Sequence, residues 1–198
     1  AARINGLRPL SESPEASRLI REAEERIATD SGIRVMATFE MYETHASGGS
    51  VIFRNGSRKG EIPMLRQEKA MTLEDGTKAC LSLADFVPDE SLGFDSVCGF
   101  FAISAISDRE EDLAGQALLD TLAEAASSMI HEKLRRAVNR QDMKIIMPAA
   151  GYACFPDHSV KKDILSDLSD SGALGISLTE SYGMTPDASV CGMIFIHR

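Results

Sequence analysis

The chain has 198 residues, 43% of them hydrophobic and 26% charged, with a formal net charge of -9; that acidic balance argues against non-specific nucleic-acid binding, because phosphates reward a basic face. Four cysteines scattered without a CxxC pair fit neither a zinc site nor a small disulfide framework, so reduced, mostly buried thiols are expected and no metal ligands are assigned. No apolar run approaches the ~20 residues of a membrane span, and the start AARINGLRPLSESPEASRL lacks a signal-peptide core, so the expectation is a cytoplasmic protein with no membrane partner.

The first periodic stretch is SPEASRLIREAEERIATDSGI. Ala16, Leu19, Ile20, Ala23 and Ile27 recur at helical spacing, Ser13 and Pro14 supply a cap and first turn, and Gly32 a stop. RVMATFEMY, SVIFRNG and KACLSLADFV then read as strands, rich in β-branched and aromatic residues and punctuated by the turn signals NG and DG. DSVCGFFAISAI is a continuous apolar run, the pattern of a central strand covered on both faces.

A long helix is predicted over 112–138, with Leu118, Leu122, Ala125 and Met129 as its buried stripe, Leu134 continuing nearby, and Lys133, Arg135 and Arg136 at its negative end. SVKKDILSDL predicts a shorter helix capped by Asp157, with Val160, Ile164, Leu165 and Leu168 inward. The chain closes on two apolar strands, GISLTESYGM and SVCGMIFIHR, joined across Pro186 and Asp187. Strand clusters separated by helices, without regular βαβ alternation, predict an α+β fold: a mainly antiparallel twisted sheet with flanking helices.

Two places stand out chemically. On the long helix, Asp120, Glu124, Ser127 and His131 form one row beside the apolar stripe, which reads either as a solvated face or as the rim of a site. The second is GYACFPDH, residues 151–158, whose aromatics a mere turn would not need. Cys154 and His158 are a conceivable nucleophile–base pair, but no third residue marks itself as the orienting group.

Taken in order, LADFV at 83–87, LAEAASSMIHEKLRR at 122–136, GYACFPDH, and LTESYGMTPDASVCGMIFIH at 178–197 closely resemble the C-terminal activation domain of cobalamin-dependent methionine synthase. The resemblance is clear over 80–198. It fades to a compatible pattern over 1–50, so one activation-domain-like unit is expected over 1–198.

The resemblance implies a domain that binds S-adenosylmethionine and offers its methyl to cobalamin held by a partner, after one-electron reduction by a flavodoxin-type reductant. Carried over, Glu124, Ala149, Gly151 and Tyr152 would contact S-adenosylmethionine, and Asp120 would meet the histidine released from cobalt on the corrinoid partner. No residue is assigned as catalytic in its own right. Where the family has an arginine to grip the ligand carboxylate this sequence has Met147, with Arg140 and Lys144 nearby. The family's aspartate in a Trp-Thr-Pro context has no counterpart in 1–50, and its late tyrosine would fall beyond Arg198.

The sequence lacks the cobalamin-binding Asp-x-His-x-x-Gly pattern, so a freestanding accessory acting in trans on a methionine synthase or related corrinoid protein is the leading expectation. The alternatives are an interaction module that docks on such a protein with its ligand site lost, and a cysteine-dependent enzyme on the same fold.

Overall fold

The structure, a computed structural model, describes residues 3–4, 8–9, 14–30, 32–56, 58–93 and 96–197. Six strands form one antiparallel sheet: β1 (Arg34–Ser47), β2 (Ser50–Asn55), β3 (Arg58–Pro63), β4 (Ser96–Ile106), β5 (Lys144–Ile146) and β6 (Ser189–His197). Their order is β3-β2-β1-β4-β6-β5. Among the described residues three α-helices accompany it, α1 (Pro14–Thr29), α2 (Leu113–Val138) and α3 (Val160–Asp167), which gives the expected α+β architecture.

The apolar run is the central strand the sequence predicts. Every residue of β4 from Cys98 to Ala105 is buried. The side-chain period of two divides them between two layers. Cys98, Phe100 and Ala102 join Cys191, Met193 and Phe195 of β6 and Val160 and Ile164 of α3 on one face. Phe101, Ile103 and Ala105 join Ile194 and the buried side of α2 on the other.

That buried side of α2 consists of Gly115, Leu119, Ala123, Ala126, Ile130 and Leu134. All four residues of the predicted stripe are one position off, and only Leu134, placed near it, is buried. Leu118 and Leu122 are half-buried at its flank, Ala125 is exposed and Met129 is 73% exposed. Both sets keep helical spacing, and bulk alone favours the wrong one. The sheet selects the set containing a glycine and two alanines, which lets the helix axis approach closely.

Other expectations also need correction. The run KACLSLADFV is not one strand: Lys78–Ala79 pairs with Met71–Thr72, and Leu83–Phe86 is a 3-10 turn. Ser82 and Asp85 impose the turn by capping each other's main chain, Ala84 N–H donating to Ser82 Oγ at 3.2 Å and Ser82 N–H to Asp85 Oδ2 at 2.8 Å. GISLTESYGM likewise contains two short strands, Ser177–Leu178 and Met184–Thr185, which pair with each other.

Asp157 sits two residues ahead of the N-cap of α3, Ser159, whose N–H donates to Asp157 Oδ1 at 2.8 Å. On α1, Ile20 and Ile27 are each 48% exposed, so the predicted stripe is not a buried face there; Ser13 and the side chains of Ala16 and Leu19 lie outside the described residues.

Candidate ligand site

The site is built where the chain returns to the sheet after β5. Ala149 pairs across Gly192 of β6. Ala150 N–H donates to Cys191 C=O at 2.9 Å, and Met193 N–H to Pro148 C=O at 3.1 Å. A Cβ at position 192 would be driven into the Pro148 carbonyl oxygen and would lie 2.7 Å from Ala149 Cα. Only glycine lets the two backbones lie this close.

At Gly151 the chain turns with φ 103, a region that glycine enters without a Cβ penalty. Its N–H donates to Phe155 C=O and Phe155 N–H donates to Tyr152 C=O, both at 2.8 Å. The two aromatics of GYACFPDH therefore divide their tasks. Phe155 is 3% exposed and anchors the loop in the core, whereas Tyr152 stays 64% exposed.

His158 lies against Gly151, where a Cβ would approach its Cε1 to 2.6 Å. The buried Lys161 holds this arrangement, donating from Nζ to His158 Nδ1 at 2.9 Å and to Tyr182 C=O at 3.2 Å.

Between this loop, α2 and the sheet lies a cavity of about 320 Å³. Phe101 of β4 and Val190 of β6 line it from the sheet, Glu124 and Ser127 from α2, and Met147, Pro148 and Ala149 from the returning segment; Tyr152 and Cys154 line it from the loop. The volume is at the lower end of the range for small-molecule sites, ~300–1,000 Å³. A second cavity of about 230 Å³ near the start of α2, where Glu111 pairs with Arg26, is lined by none of the predicted site residues.

Of the residues singled out from sequence, Glu124, Ala149 and Tyr152 line this one cavity. Gly151 is not part of the lining but makes the turn that presents Tyr152. Asp120 lies one turn before Glu124 on the exposed side of α2, its Oδ1 accepting from Gln116 Nε2 at 3.1 Å. Ser127 lines the cavity, whereas His131 is spent on a 3.2 Å contact between Nε2 and Ile145 C=O.

Sequence reasoning missed Phe101 and Val190, which belong to apolar runs with no sign of which residues face a cavity. Met147 forms part of the wall, and neither Arg140 nor Lys144 is in the lining. Arg140 is held by Asp142 through contacts of 3.1 and 2.7 Å. Among the described residues Glu124 is thus the one charged side chain of the cavity wall.

The cysteine reading gains little from this geometry. Cys154 is an exposed free thiol at the cavity, but His158 offers Nδ1 to Lys161 rather than to a sulfur. Burial pushes the Cys98 thiol up to about 11 and that of Cys191 up to about 12. Since the thiolate is the reactive form, iodoacetamide at mildly alkaline pH is expected to label Cys154 well before Cys98 or Cys191. Peptide mass spectrometry over a time course checks this, and labelling of Cys191 as fast as Cys154 would contradict the burial.

Among the described residues no group of three or more His, Cys, Asp or Glu is placed to hold a metal ion, and no helix is long and apolar enough to cross a membrane.

Comparison with known proteins supplies the rest. A family model described as "Vitamin B12 dependent methionine synthase, activation domain" matches residues 8–198. Among solved structures, the "Crystal Structure of the MetH Reactivation Domain bound to AdoHcy" is similar at a TM-score of 0.80 and 27% sequence identity, over 100% of this chain and 70% of that one.

Proposed function

The chain belongs to the activation-domain family of vitamin B12 dependent methionine synthase, and on that premise we propose that it holds S-adenosylmethionine in the cavity beside Glu124 and presents the methyl group to cobalamin carried by a corrinoid partner, in trans. One observation carries this reading: Glu124, Ala149 and Tyr152, assigned to the ligand by the resemblance, share one cavity. In the reading, 1–198 acts as one unit.

Each wall has a task. The Glu124 carboxylate faces the positive sulfonium and holds the methyl-bearing end by charge. Phe101 and Val190 give an apolar floor that excludes water, and Tyr152 places an exposed ring at the mouth for the nucleoside. The partner's cobalamin, reduced by one electron from a flavodoxin-type donor, takes the methyl while the electron pair of the broken carbon–sulfur bond stays on sulfur. The product is then AdoHcy, the molecule named as bound in the similar MetH structure. Calorimetric titration with S-adenosylmethionine tests the ligand half of the proposal. Heat of binding supports it, and none at millimolar ligand leaves only the docking module.

Asp120 serves the partner half. It is exposed on α2 one turn from Glu124, where its carboxylate can accept from a histidine released by cobalt. A protein that binds one of two states better shifts their balance by that difference and by nothing else. Added to a cob(II)alamin-loaded methionine synthase lacking its own activation domain, the chain is expected to move the visible spectrum toward the histidine-off form. Asp120→Asn keeps the shape, loses the charge, and should shift it less. An unchanged spectrum at concentrations where pull-down shows binding would contradict this role.

A further inference from the structure

The cavity is one-sided in charge. Among the described residues Glu124 is its single charged lining side chain, and no lysine, arginine or histidine is in the lining. A ligand carboxylate needs several donors, charged ones for preference.

The main chain around the cavity offers only neutral donors. Ala150 N–H is spent on Cys191, Gly151 N–H on Phe155 and Tyr152 N–H on Ala149. The lining donors that remain are all neutral: the N–H groups of Ala149 and Cys154, the Ser127 hydroxyl, the Cys154 thiol and the Tyr152 phenol at the exposed mouth. None of the cations considered lines the cavity: Arg140 is paired with Asp142, Lys133 lies over the Phe39 ring at 5.6 Å, and Lys144 is outside the lining. A carboxylate entering the cavity would also meet the like charge of Glu124, which disfavours both.

We infer that the site selects nucleoside sulfonium cations without a carboxylate, of which decarboxylated S-adenosylmethionine is the representative, over S-adenosylmethionine itself. This rests on the reading that the cavity takes a sulfonium methyl donor. Decarboxylation removes the group for which the described wall has no cationic partner and keeps both the sulfonium and the ammonium that Glu124 attracts. The preference comes from charge at a partly open site, so it should shrink as salt is raised.

The test is calorimetric titration of the intact chain with decarboxylated S-adenosylmethionine, S-adenosylmethionine and AdoHcy. The decarboxylated cation is expected to bind about tenfold more tightly than S-adenosylmethionine, with AdoHcy, which has no sulfonium, the weakest. S-adenosylmethionine binding as tightly as its decarboxylated form, or more so, overturns the inference and leaves the proposed function standing. If neither cation binds, both fall.

Met147→Arg provides the second arm, with a thermal melt to establish that the variant is folded. A guanidinium in the wall pairs with a carboxylate and repels an ammonium. The variant should therefore invert the order of the two cations. An unaltered ratio in the folded variant would overturn the placement of the ligand's amino-acid end against this wall.

Discussion

Glu124→Gln is expected to weaken S-adenosylmethionine about tenfold while changing the affinity for an uncharged thioether analogue, 5′-methylthioadenosine, by less than about twofold. The amide preserves the length and shape of the side chain and removes only its charge. Any loss confined to the sulfonium ligand therefore measures the attraction itself. Charge-assisted contacts span a wide range, and the exposure of Glu124 on α2 places this one at the low end because water screens it. Titrating both ligands into both proteins checks the prediction. Equal losses for the two ligands would mean that Glu124 contributes shape and not charge.

The largest structural effect is expected at Gly192. In Gly192→Ala the new methyl meets backbone on the facing segment, the Pro148 carbonyl oxygen and Ala149 Cα, and backbone cannot rotate aside as a side chain would. Either β6 or the returning segment must move, and the hydrogen bonds from Ala150 to Cys191 and from Met193 to Pro148 loosen together. Overpacking and two weakened main-chain hydrogen bonds sum to about 3 kcal/mol, which for a domain of this size lowers the melting temperature by about 10 °C.

The same displacement moves Pro148 and Ala149 within the cavity wall, so ligand affinity should fall with stability. Gly172→Ala is the control, since a Cβ there meets nothing within 4 Å. A Gly192→Ala protein that melts with the wild type would refute the close approach on which the site is built.

What the sequence could and could not convey follows from the kind of signal each element carries. The central strand was legible because eight consecutive buried positions in β4 admit few other readings, and α2 because its period persists over seven turns. The face of α2 was not, since small residues mark close packing against a sheet while a size-weighted reading follows Leu118 and Met129. The strands Arg58–Pro63 and Lys144–Ile146 were missed for a different reason. The first is dominated by polar residues and the second has only three, and both depend on their neighbours in the sheet rather than on local preference.

The cavity was legible only in part. Glu124, Ala149 and Tyr152 came from ordered resemblance over blocks of sequence, not from periodicity, which left the Asp120–Glu124 row open between surface and site. Phe101 could not have been found, because whether it or Phe100 faces the cavity is decided by the pairing of β4 with β6, Phe101 opposite Gly192. The one-sided charge emerged only when the returning segment placed Met147 in the wall and left Arg140 with Asp142.

The most direct test of the central claim is a methyl-transfer measurement in trans. The chain is mixed with a cob(II)alamin-loaded methionine synthase that lacks its activation domain, a flavodoxin-type reductant, and S-adenosylmethionine or its decarboxylated form carrying an isotopically labelled methyl. Label appearing on cobalamin, together with the methylcobalamin spectrum, only when the chain, reductant and sulfonium donor are all present, is the predicted result. Cobalamin that stays unlabelled at concentrations where the chain is shown to bind both its ligand and the corrinoid protein would contradict the account.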